Sequence, residues 1–532
     1  VNYEIKVKKD LRGCFNEEII NEILFLKEVE DIEEFLYPDE THIYSLTNLK
    51  RIDEAAQILL NNLDKTVGIY ADVDTDGISS SVMLYRYLKE AFGIEANVYI
   101  NDGKNHGVMI DTATKIINDD VKCLIVVDSL NAKLDEYQYL KDNDVKVIVL
   151  DHHDVTNDYS NVITLVSSNI DYDNPELSGA GVVWKFICYI DKLVDKNFAF
   201  NYVDLAATGI LADVCDVSVN CMENRAIVNL GLNNVVNPTI SKLIGNKKYT
   251  SKDVLFNIAP LINSGNRYNH NIEAFWAFAS DDNKIINKNL KVLKECKESQ
   301  KAEVDQLMTE IEVQIEKQIN NNVLFCEIDT ENGISGLLAG KITGKYKKPS
   351  IVVKHGDYCL VGSLRSIGRG DFKQKCQDTN LCQAVGHSEA AGFSCKHTDK
   401  EAFLNSIEQM LSQEEAEIIS DVDIRLDVED INADLVYDMM RLDRISGKNC
   451  SQIKVVVDVK NYEVSSMSQG KHLVLDVGYG LKFIQWNFNG DWDVLEEAAM
   501  CGETISCVGT LTCDYIGGYG CKLIIEDYFI LD

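Results

Sequence analysis

Four short apolar runs punctuated by acids constrain this chain more than any other feature. They are residues 67–73 (Val-Gly-Ile-Tyr-Ala-Asp-Val), 95–100, 121–128 (Val-Lys-Cys-Leu-Ile-Val-Val-Asp) and 145–151 (Val-Lys-Val-Ile-Val-Leu-Asp). Polar residues and usually a helical pattern follow each run; the first such helix is expected from about Ser79 to Phe92. Apolar, β-branched strands alternating with helices predict an α/β fold built on a parallel sheet. Ligands of such sheets gather at the carboxyl ends of the strands. Three of the runs end in aspartate, so acids are expected where a ligand would sit.

The rest of the chain divides by pattern. Residues 1–60 read as helical and acidic, and residues 202–245 as largely helical. From Asp282 to Asn320 there is neither Pro nor Gly, and Ile286, Leu290, Leu293, Val304, Leu307, Ile311, Ile315 and Ile319 space out one apolar stripe. That predicts a connecting helix, which at ~1.5 Å per residue would span almost 60 Å. A second α/β segment is expected over 321–412. Beyond it, strand-like runs at 453–458, 472–477, 481–486, 504–511 and 521–526 alternate with Gly-rich turns and predict a β-barrel or sandwich. The expected division is therefore 1–281, 282–320, 321–412 and 413–532.

The densest chemical signal is Asp72-Val-Asp74-Thr-Asp76-Gly77. Alternate residues of an extended segment share a face, and three carboxylates together repel unless protonated or bound to a cation. Hard oxygen donors suit Mg²⁺ or Mn²⁺. Taken alone, the motif also fits an acidic turn or a Ca²⁺ loop, although Met83 stands where an EF-hand needs its twelfth-position glutamate. Asp151-His152-His153-Asp154 closes another strand, Asp128 a third, and Asp213 lies in a helical stretch. Carboxylates and imidazoles in this number suggest two metals, which would lower the pKa of a bound water and clamp an in-line displacement at phosphorus.

Composition narrows the class. The chain has 532 residues and a formal net charge of −33, which argues against a uniformly basic nucleic-acid binder. The charge is uneven, however. Residues 321–400 hold 11 Lys+Arg against 8 Asp+Glu, whereas residues 421–532 hold 9 against 20. No run of about 18 apolar residues is present, so no membrane span is expected, nor does the start show a signal-peptide pattern. The sixteen Cys include no Cys-x-x-Cys pair and are expected to be reduced thiols of a cytoplasmic protein.

In their order, Asp72-Val-Asp-Thr-Asp-Gly, Asp128, Asp151-His-His and Asp213 resemble the motifs of the DHH phosphoesterase superfamily, and within it the RecJ family of single-strand-specific 5′→3′ exonucleases. Glu34-Phe-Leu-Tyr-Pro looks like that family's N-terminal segment, and Ile258-Ala-Pro-Leu-Ile-Asn-Ser-Gly-Asn-Arg267 like its Pro-x-x-Asn-x-x-x-Arg signature. Gly333-Ile-Ser-Gly…Lys348-Pro, Gly362-Ser-Leu-Arg-Ser366 and Gly386-His-Ser-Glu-Ala-Ala-Gly392 resemble the DHH-associated domain. Arg441-Leu-Asp…Gly447-Lys-Asn and the strands after it look like the family's C-terminal OB-fold.

The resemblance implies a catalytic domain, a connecting helix, a substrate-clamping domain and an OB-like barrel. It implies Mn²⁺ or Mg²⁺, two ions, at Asp74, Asp76, Asp128, Asp151, His152 and Asp213. Asp72 would bind metal or orient a ligand, and His153 would contact metal or stabilise the scissile phosphate. Asn263, Arg267, Ser363, Arg365, Ser366 and His387 would hold substrate. The stretch Asn101–Gly107 departs from the family's Arg and Gly-Tyr-Gly, leaving Lys104 or His106 to stand in for the Arg. The partner implied is single-stranded DNA, in repair, recombination or replication, with the acidic C-terminal region open to a protein partner. Two other readings compete: a DHH phosphodiesterase of short oligonucleotides or cyclic dinucleotides, and a non-catalytic replisome scaffold. The filled ligand positions weigh against the scaffold, and the C-terminal region weighs against the small-substrate enzyme.

Overall fold

The computed structural model describes residues 2–101, 107–131, 133–414, 417–488, 490–513 and 520–531. The chain forms two compact units. One comprises Val7–Leu293 and the residues from Val422 onward; the other comprises Lys294–Asp421 and the N-terminal residues up to Lys6.

The first strand is β1 (Asn2–Asp10), where a helical segment was expected. Its apolar residues Ile5 and Val7 alternate with Glu4, Lys6 and Lys8, a period of two that suits a strand with one covered face.

The larger unit holds the expected parallel sheet. Its strands are β2 (Val67–Ala71), β3 (Asn97–Ile100), β4 (Cys123–Val127), β5 (Lys146–Asp151) and β6 (Thr164–Ser167), in the order β3-β2-β4-β5-β6 with every pairing parallel. Successive residues serve two cores. Ile69, Ala71, Ile125, Val127, Ile148 and Leu150 pack on one face, and Tyr70, Leu124, Val126, Val147 and Val149 on the other. Burial on both faces explains why these strands are apolar throughout rather than alternating. The chain leaves β2 toward β3 on one side and later returns to β4 on the other. The topological switch point, where such sheets bind ligands, therefore lies between the ends of β2 and β4.

Three helices back the strand ends: α1 (Thr75–Phe92), α2 (Gly179–Val194) and α3 (Val203–Ala212). They are almost wholly buried, their apolar residues in the first core. A fourth helix, α4 (Asn283–Glu316), is continuous over 34 residues.

The smaller unit is a mixed sheet of β7 (Leu324–Glu327), β8 (Ser350–His355), β9 (Cys359–Arg365), β10 (Cys382–Gly386) and β11 (Ala390–Lys396), in the order β10-β11-β9-β8-β7. Only β7 and β8 pair in parallel. Helix α5 (Ser335–Tyr346) makes the crossover between them. Val304, Leu307, Ile311 and Ile315 of α4 pack with Leu338, Ala339 and Ile342 of α5.

The C-terminal strands are β12 (Glu417–Leu426), β13 (Val455–Val459), β14 (Glu463–Met467), β15 (His472–Asp476), β16 (Lys482–Gln485), β17 (Thr504–Cys513) and β18 (Cys521–Leu531). With β1 they form an eight-stranded sheet, β1-β12-β13-β17-β18-β16-β15-β14. Among the described residues these pairings run from one edge to the other without closing into a barrel. Arg225 ties this region to the parallel-sheet region: its guanidinium donates to the carbonyls of Phe35 (2.8 Å), Val217 (2.9 Å) and Ile445 (3.3 Å).

Candidate metal centre

After β2 the backbone turns at once into α1. Asp74 caps that helix, its Oδ1 accepting from Gly77 N at 3.0 Å. Asp72 and Asp76 flank the cap and are buried. Gly77 is required here, because a Cβ would lie 2.5 Å from the Asp72 carbonyl oxygen. Thr75 Oγ1 reaches out of the same turn to Asn263 Oδ1 at 3.2 Å. The helix Ala259–Arg267 is thereby joined to the acidic turn, with Arg267 one helical turn beyond Asn263.

After β4, Asp128 adopts a left-handed conformation (φ +53°). The start of α2 abuts it: a Cβ on Gly179 would lie 2.8 Å from Asp128 Oδ1. The neighbouring residues of α2 hold Asp76, whose Oδ1 accepts from Ser178 Oγ (3.0 Å) and Ala180 N (3.1 Å). Asp213 follows the last residue of α3, and Val214 beyond it has φ +57°. That is a strained conformation for a β-branched residue, of the kind found beside functional sites.

His152 and His153 follow β5. His152 Nε2 lies 3.2 Å from Asp128 Oδ1 and 3.6 Å from Asp213 Oδ2. Three sets of donor atoms each fit within 4.8 Å: Asp128, Asp151, His152 and His153; Asp76, His152 and Asp213; Asp72, Asp74 and Asp128. The sets overlap at Asp128 and His152, as a two-ion site would require. Asp76 Oδ2 and Asp128 Oδ1 are buried and accept no hydrogen bond. Burying carboxylate oxygens that accept no hydrogen bond is costly, and a divalent cation would satisfy them. Oxygen donors with imidazole suit Mn²⁺ or Mg²⁺.

Asp151 stands apart, because the chain itself satisfies both its oxygens. Oδ1 accepts from His153 Nδ1 (2.7 Å), His153 N (2.8 Å) and His152 N, while Oδ2 accepts from Leu130 N. Asp151 thus orients the His-His turn.

Burial, then the charges of Asp213 and Asp74, push the Asp76 carboxyl well above the ordinary carboxylate range. Burial and then Asp76 do the same to Asp128, and burial raises Asp213. The hydrogen bond that His153 gives to Asp151 raises its pKa to about 9 against the opposing effect of burial. For Asp151, burial acts upward, but its bonds and charge contacts with the histidines bring it below the usual range.

The stability of the metal-free protein follows from these signs. A raised folded-state pKa contributes stability that is present below the unfolded value and lost as pH rises through the folded value. Asp76, Asp128, Asp213 and His153 all run that way, and Asp151 alone opposes them. The metal-free protein is therefore expected to melt at a higher temperature at pH 5 than at pH 8. Mn²⁺ competes with the same protons, so the rise in Tm that it produces should be larger at pH 8. Scanning fluorimetry with EDTA and with Mn²⁺ checks both; a Mn²⁺ shift independent of pH would count against the site.

The remaining expected substrate groups lie in the smaller unit. Ser363 Oγ is 3.0 Å from Ser335 Oγ at the start of α5. A Cβ on Gly336 would come within 3.0 Å of Arg365 Nη2. Arg365 pairs across the sheet with Ala390, and Ser366 N donates to Glu389 O at 2.9 Å. His387 is exposed in the β10–β11 turn, where its N donates to Ala390 O at 3.0 Å. Ser363, Arg365, Ser366 and His387 thus gather at one end of this sheet. Lys104 and His106 lie outside the described residues. Ser178, Gly179 and Gly209 escape notice in the sequence, and Thr75 and Gly336 enter it only as parts of motifs. Their one signal there is small residues at helix starts and beside acids.

Residues 66–210 match the DHH family, N-terminal domain. The chain thus carries a DHH domain, and its metal-ligand candidates through Asp151-His152-His153 fall within the match. Along most of its length the likeness is more particular. It is 29% identical over 468 residues (80% of this chain, 79% of the relative) to YorK of Bacillus subtilis (strain 168), provisionally named an SPbeta prophage-derived single-strand DNA-specific exonuclease. It is 25% identical over 511 residues to the single-stranded-DNA-specific exonuclease RecJ of the same bacterium, covering 90% of this chain and 63% of that one. Its fold matches the crystal structure of RecJ in complex with Mn²⁺ from Thermus thermophilus, with a TM-score of 0.78, 21% identity, and coverage of 100% of this chain and 80% of that one. The chain is RecJ-like in sequence and in fold.

Proposed function

We propose that this protein is a metal-dependent 5′→3′ exonuclease that hydrolyses single-stranded DNA to mononucleotides, in repair, recombination or replication. The observation that carries the reading is the set of acids and imidazoles at the switch point of the parallel sheet, with two buried carboxylate oxygens that accept no hydrogen bond. The RecJ relatives supply the substrate class.

Asp74, Asp76, Asp128, His152 and Asp213 would hold two Mn²⁺ or Mg²⁺ ions, with Asp151 adding at most the lone pair of Oδ2 that Leu130 N leaves open. When bound, the ions would activate water and stabilise the charge of an in-line displacement at phosphorus. The chain's own groups do the rest. Asp151 fixes the His153 imidazole, which places it to stabilise charge on the scissile phosphate. Asp72 orients the ligand cluster. Asn263 steadies the acidic turn through Thr75, and Arg267, Ser363, Arg365, Ser366 and His387 grip phosphates, with Lys104 or His106 added near the DNA end. No side chain forms a covalent intermediate. On this reading residues 1–281 form the catalytic domain, 282–320 the connecting helix, 321–412 the substrate-binding domain, and 413–532 an OB-like domain that binds DNA or, through its acidity, a protein partner. The protein would act in the cytoplasm; among the described residues no helix is long and apolar enough to cross a membrane.

Digestion of 5′- and 3′-labelled single strands with Mn²⁺, beside duplex and RNA controls, tests the proposal. Mononucleotides should leave from the 5′ end of single-stranded DNA; release from the 3′ end, or none, would overturn it. Arg365→Ala should weaken strand binding and reduce the slope of log affinity against log salt by about one phosphate contact. An unchanged slope in anisotropy titrations would remove Arg365 from the phosphate grip.

A further inference from the structure

The helix that carries Asn263 and Arg267 begins irregularly. Val254–Ile258 form a π-helical turn, closed by Ala259 N donating to Val254 O. The cause is local. Pro260 has no N–H to give to the Phe256 carbonyl four residues back, and its ring would collide with that carbonyl in a regular α-helix. The helix widens instead, and π turns of this kind are frequent at functional sites. Phe256 occupies the wide turn with 68% of its surface exposed. An aromatic ring so exposed beside a buried helix gains nothing in folding. Beyond the π turn, Pro260, Asn263 and Arg267 succeed one another at intervals of three and four and so share one face, and each is partly exposed. Ile258, Ala259, Leu261 and Ile262 are buried, while Asn257 beside Phe256 is exposed. The bare aromatic ring thus stands on the π turn that leads directly into the helix carrying Asn263, which is hydrogen-bonded to the acidic turn.

We propose that Phe256 is a stacking platform for a base of the bound single strand, set outward by the π turn that Pro260 imposes. The inference rests on the function proposed above and deepens it. Bases of every kind present a π face, so one ring grips a strand without reading its sequence. Stacking here would fix a nucleotide beside the metal centre while the arginines hold phosphates.

The full-length protein tests this with a single-stranded oligonucleotide, intact or carrying one abasic residue at successive positions from its 5′ end. Phe256→Ala should raise KM and the strand's Kd about 5- to 150-fold, leave kcat and Tm near the wild-type values, and keep the salt slope of binding unchanged. Phe256→Trp should restore affinity. Pro260→Ala, which permits a regular helix, should weaken binding in the same direction. At one abasic position the wild type should fall to the level of Phe256→Ala, and that variant should lose nothing more. Normal cleavage by the wild type with an unaltered Phe256→Ala, or independent addition of the two losses, would overturn the inference alone. No cleavage of single strands by the wild type would overturn the functional reading and the inference with it.

Discussion

Asp76→Ala is expected to abolish strand cleavage, a loss of more than about 10³-fold, beyond the ~10–100-fold that follows loss of an outer-shell partner of a metal. Asp76 sits where the acidic turn, α2 and α3 meet. Ser178 and Ala180 hold its Oδ1, leaving the buried Oδ2 for an ion. Removing it takes a donor from the cluster that includes His152 and Asp213. It also relieves like-charge repulsion in a dry site. The metal-free variant should therefore melt no lower than the wild type, while the rise in Tm with Mn²⁺ shrinks or vanishes. Strand binding should persist, because a carboxylate repels phosphate rather than gripping it. Single-turnover digestion, anisotropy and melting, run on the same preparation, check the three parts. Retained turnover would remove Asp76 from the metal centre.

Gly209→Ala should be nearly as damaging, although Gly209 carries no chemistry. A Cβ there would lie 2.1 Å from Asp76 Oδ1 and 2.4 Å from the Ala180 Cβ. Neither neighbour can yield easily, since Asp76 is held by two hydrogen bonds and Ala180 belongs to the buried start of α2. Displacing the carboxylate should cost at least about 10²-fold in activity, as small misplacements of reacting groups do, with about 1–3 kcal/mol of stability lost to overpacking. Gly231→Ala is the control. Its Cβ would meet the Val203 carbonyl and the Ala207 Cβ at 2.5 Å, with the Asp204 backbone next, and no acid of the metal centre among its nearest atoms. It should lose comparable stability and keep its activity per folded molecule. If both variants lost activity in proportion to stability alone, Gly209 would be a packing residue only.

How far the chain could be read in advance depended on how local each signal was. The parallel sheet was legible because three of its strands, β2, β4 and β5, are runs of buried residues ending in an acid, and strand and acid are adjacent in sequence. Asp72, Asp74, Asp76, Asp128, His152 and His153 stood out for the same reason. The cradle did not. Ser178, Gly179 and Gly209 are ordinary small residues until α2 and α3 pack against the acids, roughly 50 to 130 residues away in the chain. The bonding that occupies both oxygens of Asp151 likewise appears only in three dimensions. The C-terminal strands were visible one by one, but a run of short strands does not specify its order. The sheet takes its edge strand from Asn2–Asp10, where an alternation of only Ile5 and Val7 with charged residues is too short to stand out beside acidic helices.

The central claim is that the acids at the switch point form one two-ion centre. Titration of the metal-free protein with Mn²⁺, with free ion followed by electron paramagnetic resonance, measures this directly. The wild type should bind two ions per chain, and Asp76→Ala and Asp128→Asn should each lose at least one of them. A wild type that binds none at millimolar Mn²⁺, or variants that bind both ions as the wild type does, would contradict it.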